Sequence, residues 1–213
     1  MKKVKLAIFD MDGLMLDTEE IYINIALQVA QDKHYSITKD LIEKTIGLNS
    51  IASRQIFRET LGENFPIEDF EALLREKYMY KIINEEVRKK DGIMELLDYL
   101  DRENILKAVA TSTSRYNAEI LLKNSGLMNR FDYVVCGDEV NKSKPAPDIY
   151  LKVCEDLRVS IEDAIVFEDS LNGLKSAFSA GIRCIVVPDK VDIPKEERKM
   201  AYRICNSLFE VMF

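Results

Sequence analysis

With 213 residues, 47% of them hydrophobic and 31% charged, the chain has the composition of an ordinary globular protein with enough apolar residues for a sizeable core. Its net charge of -7 argues against nucleic acid or an anionic membrane as the main partner, but leaves room for a small anion whose charge a metal and a few cations offset locally. Cys136, Cys154, Cys184 and Cys205 make no Cys-x-x-Cys pair, no run approaches the length of a membrane span, and Met1-Lys-Lys-Val-Lys has no long apolar stretch behind it. The cysteines are therefore expected as buried hydrophobes in a reducing compartment, and the protein as cytoplasmic.

In chain order, residues 4–9 form an apolar run interrupted only by Lys5, as in a short buried strand. It stops in Asp10-Met-Asp12-Gly13, which puts two carboxylates at the strand's carboxyl end, where open α/β sheets bind ligands. Two close anions repel. A divalent cation between them is the simplest reason for the pair, and a nucleophile beside a proton donor is the second. Asp-x-Asp-Gly also occurs in plain turns. A helix is expected from Thr18 to about Asp32, capped by Thr18 and with acidic residues in its first turn. His34, the one histidine, lies in a polar stretch and is expected at the surface. That leaves acid–base chemistry to carboxylates, Lys or Tyr.

Residues 38–86 show helical periodicity and almost no strand signal, with helix starts at Thr38, at Asn49 or Ser50, and at Pro66. From Asp91 strands and helices alternate. A helix over 93–102 leads to a strand over 106–110 that ends in Thr111-Ser-Thr-Ser114, and the next helix runs to Ser125 with Gly126 as its stop. A strand over 133–136, a polar loop carrying Lys144, a helix over 147–157, a strand over 164–167 ending in Glu168-Asp169, a helix to Gly181 and a fifth strand over 183–187 complete the series. This pattern predicts an α/β fold: a Rossmann-like parallel sheet core from residues 1–16 and 87–213, with an inserted α-helical cap over 17–86. An insertion after the first strand is expected to overhang the carboxyl edge of the sheet as a lid. The apolar tail over 202–213 is expected to dock on the core.

Four polar clusters thus fall at four strand ends that share one edge. Each has a bland reading: Thr111–Ser114 as helix caps, Lys144 as a solvated loop lysine, Glu168-Asp169 as caps of the helix near Ser170. Pro145-Ala-Pro147 stiffens the loop behind Lys144, and two acids directly after a buried strand favour a metal.

Asp10-Met-Asp12-Gly13, Ala110-Thr111-Ser112, Ser143-Lys144-Pro145-Ala-Pro-Asp148 and Phe167-Glu168-Asp169-Ser170 together resemble the motifs of the haloacid dehalogenase-like phosphatase superfamily. The resemblance covers essentially the whole chain, including the place of the helical insertion. It implies Asp10 as a nucleophile forming an aspartyl-phosphate and Asp12 as the acid and base for leaving oxygen and water. It also implies phosphate binding by Thr111, Ser112 and Lys144. Mg²⁺ would be held by the Asp10 carboxylate, the Asp12 main-chain carbonyl, Asp169 and Glu168.

Haloacid dehalogenases and phosphonate hydrolases lack an acid two residues after the nucleophile, so Asp12 favours phosphoryl transfer to and from oxygen. The helical insertion and the stretches 14–19 and 166–170 look most like sugar-phosphate and nucleoside-phosphate phosphatases, with pseudouridine 5′-phosphatase and β-phosphoglucomutase similar in pattern. The expected substrate is a small phosphorylated metabolite, with no nucleic acid or membrane partner, and the expected state is a monomer or weak dimer. The alternative is a phosphomutase. Mutase relatives carry an arginine shortly after a glycine that resembles Gly47, and a histidine in the first helix of the insertion; this chain has Leu48-Asn49-Ser50 and, near the second place, Tyr22. Arg54, Arg75 and Lys77 are the candidate replacements for that cation. A metabolite-binding regulator is the third reading, and the complete set Asp10, Asp12, Thr111, Lys144 and Asp169 argues against it. Leu14, Met15, Tyr22, Gly47, Asn49, Arg75 and Lys77, with Thr113, Ser114 and Arg115, are the candidates for substrate selection.

Overall fold

The computed structural model describes residues 4–46, 48 and 50–212. They divide into two compact units, Met1–Asp17 with Val87–Phe213, and Thr18–Glu86. Eight α-helices occur among the described residues: α1 (Thr18–Lys33), α2 (Lys39–Glu43), α3 (Ser50–Leu61), α4 (Ile67–Asn84), α5 (Ile93–Arg102), α6 (Arg115–Asn124), α7 (Asp148–Asp156) and α8 (Leu171–Ser179).

The first unit is built on a sheet of β1 (Leu6–Phe9), β2 (Leu106–Ala110), β3 (Tyr133–Val135), β4 (Ala164–Glu168), β5 (Arg183–Val186) and β6 (Arg203–Ile204). Every pairing is parallel and the spatial order is β3-β2-β1-β4-β5-β6. All four residues of β1 are fully buried, which is why this strand reads as an unbroken apolar run rather than an alternating one. The chain moves outward from β1 through β2 to β3, then returns to β1's other side with β4. That reversal of strand order is where such sheets open a crevice at their carboxyl edge. The register sets the level of the edge: Phe9 pairs with Val109 and with Phe167, so Asp10 stands level with Ala110 and Glu168.

α5 buries Ile93, Leu96, Leu97 and Leu100, the i, i+3, i+4, i+7 face that the periodicity predicts. Gly126 and Gly181 end their helices with φ of 71° and 72°, a conformation that costs other residues more. Four strand limits differ from expectation: β1 begins at Leu6 rather than at residue 4. β3 stops at Val135 and β5 at Val186, each one residue early, while β4 runs on through Glu168. The sixth strand was not expected. Both residues of β6 are exposed and too few to show a pattern, yet Tyr202 N–H donates to Cys184 and Cys205 N–H to Val186, at 2.8 Å each. They satisfy backbone groups that the open edge of β5 would leave unpaired. Beyond it the tail packs on the core as expected: Leu208 is buried, and its Cβ lies 3.1 Å from where a Cβ would stand at Gly92.

The helical unit has its own core, in which Phe57 and Phe70 are buried and Tyr35 meets Phe65 edge-on with centroids 5.2 Å apart. Thr38 caps α2, its Oγ1 accepting from Leu41 N–H at 3.2 Å, and Pro66 precedes α4. α3 opens at Ser50; the alternative start, Asn49, lies outside the described residues. His34 is exposed, and the four cysteines are free and buried. Among the described residues no helix is long and apolar enough to cross a membrane.

Candidate active site

Immediately after β1, Asp10 N–H donates to Phe167 carbonyl at 3.0 Å, carrying the ladder one residue past the strand. The chain then turns sharply. Gly13 has φ of 82° and its N–H donates to Leu16, while Met15 and Leu16 N–H both reach Met11 carbonyl. This turn buries Leu14 and Met15, which were candidates for substrate selection and are instead part of the core. It also leaves Asp12 half-buried and bridged to Leu16. Asp12 Oδ2 accepts the Thr111 hydroxyl at 3.1 Å and the Thr113 hydroxyl at 2.8 Å, and Thr111 Oγ1 in turn accepts from Thr113 N–H at 3.0 Å. The ends of β1 and β2 are thereby fastened together.

Ser112 is exposed at the tip of the β2 loop. The loop's backbone is held from the side by Gly137, whose N–H donates to Thr113 carbonyl at 3.0 Å. A Cβ at position 137 would stand 2.2 Å from Ser112 carbonyl oxygen, so only glycine permits this approach.

Lys144 comes from the loop before α7, and its side chain is 5% exposed. An ammonium has three donors, and here they meet Asp10 Oδ1 at 2.5 Å, Glu168 Oε1 at 2.8 Å and Ala110 carbonyl at 2.9 Å. The solvated-loop reading of Lys144 therefore fails. Glu168 is completely buried and its two oxygens accept from five protein donors: Lys144 and the Tyr150 hydroxyl on Oε1, and Asp169 N–H, Ser170 N–H and the Ser170 hydroxyl on Oε2. Ser170 is also the N-cap of α8, accepting from Gly173 N–H at 3.1 Å. Gly173 leaves the room Glu168 occupies, since a Cβ there would fall 1.7 Å from Glu168 Oε1. Gly173→Ala must displace a buried carboxylate with five partners. We expect it to cost about 3 kcal/mol in urea unfolding, against less than about 1 kcal/mol for Ser179→Ala at the exposed end of the same helix.

Asp10, Glu168 and Asp169 each bring a carboxylate oxygen within 4.8 Å of the others. Burial, with Glu168 and Asp12 nearby, pushes Asp10 up to about 8 against the pull of Lys144, whereas Lys144 and the Tyr150 hydroxyl hold Glu168 below its ordinary value. Lys144 itself is raised, because the attraction of the two carboxylates outweighs its burial. Three acids around one lysine leave an excess of negative charge in a buried all-oxygen site, and a hard divalent cation fits such a donor set.

The remaining candidates are less central. Lys77 pairs with Asp32 at 3.0 Å, and Arg54 forks onto Glu71 at 2.9 and 2.5 Å within the helical unit. Arg115 is tied to Val134 carbonyl and to Glu139. Gly47 and Asn49 lie outside the described residues. Sequence reasoning missed Tyr150 and Gly173, and it read Ser170 as part of a motif without its bonds to Glu168. Tyr150 sits on α7's buried face as an ordinary core aromatic would, and only its hydroxyl, buried among apolar neighbours, signals a polar partner.

The family profile of haloacid dehalogenase-like hydrolases matches residues 7–187. A phosphorylated carbohydrates phosphatase of Thermotoga maritima is 35% identical over 182 residues, 85% of this chain and 84% of that protein. A probable pseudouridine-5'-phosphatase of Drosophila melanogaster is 29% identical over 214 residues, 98% of this chain and 91% of its own length. Among solved structures, a candidate β-phosphoglucomutase from Thermotoga maritima superposes with a TM-score of 0.82 at 31% identity, covering 98% of this chain and 97% of that one. With motif order, strand-end placement and these relatives in agreement, the chain belongs to the haloacid dehalogenase-like hydrolase family, as one of its phosphatase-type enzymes.

Proposed function

We propose that this enzyme is a Mg²⁺-dependent phosphatase that hydrolyses a small phosphomonoester, a sugar phosphate or nucleoside monophosphate, through an aspartyl-phosphate on Asp10. The observation that carries this reading is the buried Asp10–Lys144–Glu168 chain beside Asp169, with Asp12 held by two threonine hydroxyls. The relatives named for phosphorylated carbohydrates and for pseudouridine 5′-phosphate support the substrate class.

In this mechanism an Asp10 carboxylate oxygen attacks phosphorus, and the ester P–O bond breaks as Asp12 gives its proton to the departing oxygen. Asp12 then takes a proton from water, whose oxygen attacks the phosphorus of the aspartyl-phosphate, releasing inorganic phosphate and the Asp10 carboxylate. Thr111 and the Ser112 backbone N–H hold phosphoryl oxygens while Lys144 offsets the charge gathered on Asp10 and phosphate. Asp10, the Asp12 carbonyl and Asp169 would hold Mg²⁺. Glu168, whose oxygens accept from five protein donors, would complete the acidic group around that ion with Asp10 and Asp169. When bound, the metal supplies charge neutralisation for the phosphoryl group and favours ionised Asp10.

Of the candidate cations for the mutase alternative, Arg54 is engaged by Glu71 and Lys77 by Asp32, while Arg75 is exposed on α4, so the choice between hydrolase and mutase falls to the assay. The test is phosphate release from a panel of sugar phosphates and nucleoside monophosphates. Chelation with EDTA is expected to remove at least about 99% of the release and added Mg²⁺ to restore it. Metal-independent release would overturn the metal assignment. Efficient conversion of β-glucose 1-phosphate to glucose 6-phosphate with a bisphosphate primer would replace the hydrolase with the mutase.

A further inference from the structure

Lys144 is shared between two carboxylates, and something must decide how the ammonium is divided between them. Glu168 is fixed from one side by backbone: Oε2 accepts from Asp169 and Ser170 N–H at 3.0 and 3.1 Å, and Gly173 closes against its carboxylate. On the other side, Oε1 carries two donors, the Lys144 ammonium at 2.8 Å and the Tyr150 hydroxyl at 2.7 Å. Tyr150 touches both members of the pair. Its hydroxyl bonds Glu168, and its ring lies beside Lys144, with Nζ 5.0 Å from the ring centroid. It is fully buried, so no water can replace the hydroxyl without rearrangement. It also stands on α7, six residues beyond Lys144, and so links the lysine's own segment to the end of β4.

From this geometry we propose that Tyr150 is a positioning residue for Lys144, one that occupies Glu168 and thereby keeps the ammonium directed at Asp10. This rests on the phosphatase reading of the site. A carboxylate oxygen that already accepts a strong hydroxyl bond competes less well for a second donor. Without the hydroxyl, Glu168 Oε1 has Lys144 alone, and the lysine is drawn toward it and away from Asp10 Oδ1. Glu168 stays anchored through Oε2 and its three donors, so the lysine is the mobile partner. The tyrosine ring guides the same cation by its face, which makes phenylalanine the informative replacement: it keeps the ring and removes only the hydroxyl.

The experiment compares wild type, Tyr150→Phe and Tyr150→Leu as full-length proteins. In Tyr150→Phe the expected result is a kcat for phosphate release lower by about tenfold, with KM changed by less than about threefold, because Lys144 acts on charge that develops at the reacting centre. Tyr150→Leu should fall at least as far. If the tyrosine only fills space, Phe matches wild type while Leu does not, and the proposal is overturned. A second readout does not depend on turnover. Crystal structures of wild type and Tyr150→Phe should show the Lys144 Nζ to Asp10 separation lengthened in the variant, and an unchanged separation overturns the proposal. A wild type that releases no phosphate from any substrate in the panel would instead overturn the phosphatase reading, and the crystallographic comparison would still decide the role of Tyr150.

Discussion

Asp10→Asn is expected to lower phosphate release from every substrate by on the order of 10⁴-fold or more, because the amide cannot form the acyl-phosphate on which both half-reactions depend. The fold should survive, since the amide occupies the same volume and Lys144 keeps Glu168 as its counter-ion at 2.8 Å. Near-wild-type turnover in this variant would remove Asp10 from the mechanism. The same variant has a stability signature. In the metal-free protein Asp10 is raised from 3.8 to about 8, so between these values the folded state holds a proton that the unfolded chain has released. The contribution is therefore fully present below about pH 4 and lost as the pH rises through about 8. Glu168 is shifted the other way, and its contribution is present above its ordinary value of 4.5 and lost as the pH falls below it, a separate window. Urea midpoints measured across the neutral range without Mg²⁺ should decline with pH in wild type and decline less in Asp10→Asn. Parallel pH profiles would show that Asp10 is ionised in both states.

Lys144→Met should abolish activity and also give a large stability loss. The thioether keeps most of the stem's packing but leaves Glu168, fully buried, and Asp10, 7% exposed, without their cation. Breaking a buried pair in this way costs about 3–5 kcal/mol, mainly as the penalty for the stranded charge. Phosphate release should fall on the order of 10³-fold with the loss of the charge that offsets nucleophile and phosphate. The double variant Lys144→Met/Glu168→Gln tests the cause. If the stranded carboxylate is responsible, neutralising it recovers part of the lost stability, so that the two changes are less than additive in urea unfolding. Strict additivity would place the loss in packing around the stem instead.

How much of this was legible beforehand depended on whether a feature is local. The β1 run, Asp10-Met-Asp12-Gly13 at its end, and the apolar face of α5 are properties of consecutive residues; the motif and the helix face appear where the pattern puts them, and the strand begins two residues later than its apolar run. Helix limits set by Thr38, Pro66, Gly126 and Gly181 were equally plain, because caps and left-handed stops act within one turn. Lys144 was recognised by its motif, but nothing in its neighbours could say that all three of its donors are used. That follows from bringing residues 10, 110 and 168 to the same level of one parallel sheet, which the β1 register does.

What the sequence by itself determined was the alternation of elements, the inserted helical segment and the residue types gathered at the strand ends, since hydrophobic period and turn chemistry are written in consecutive positions. What only the tertiary structure decided was how those residues divide their bonds. Glu168 turns inward as the last residue of β4 and is saturated by five donors. Tyr150 lends its hydroxyl across from α7, Gly173 clears the space, and two exposed residues become β6 because a neighbouring edge needed partners. Each of these joins segments distant in the chain, and the physical reason is common to all of them. A buried polar group must find a partner wherever the fold supplies one, and the identity of that partner is a property of three-dimensional proximity.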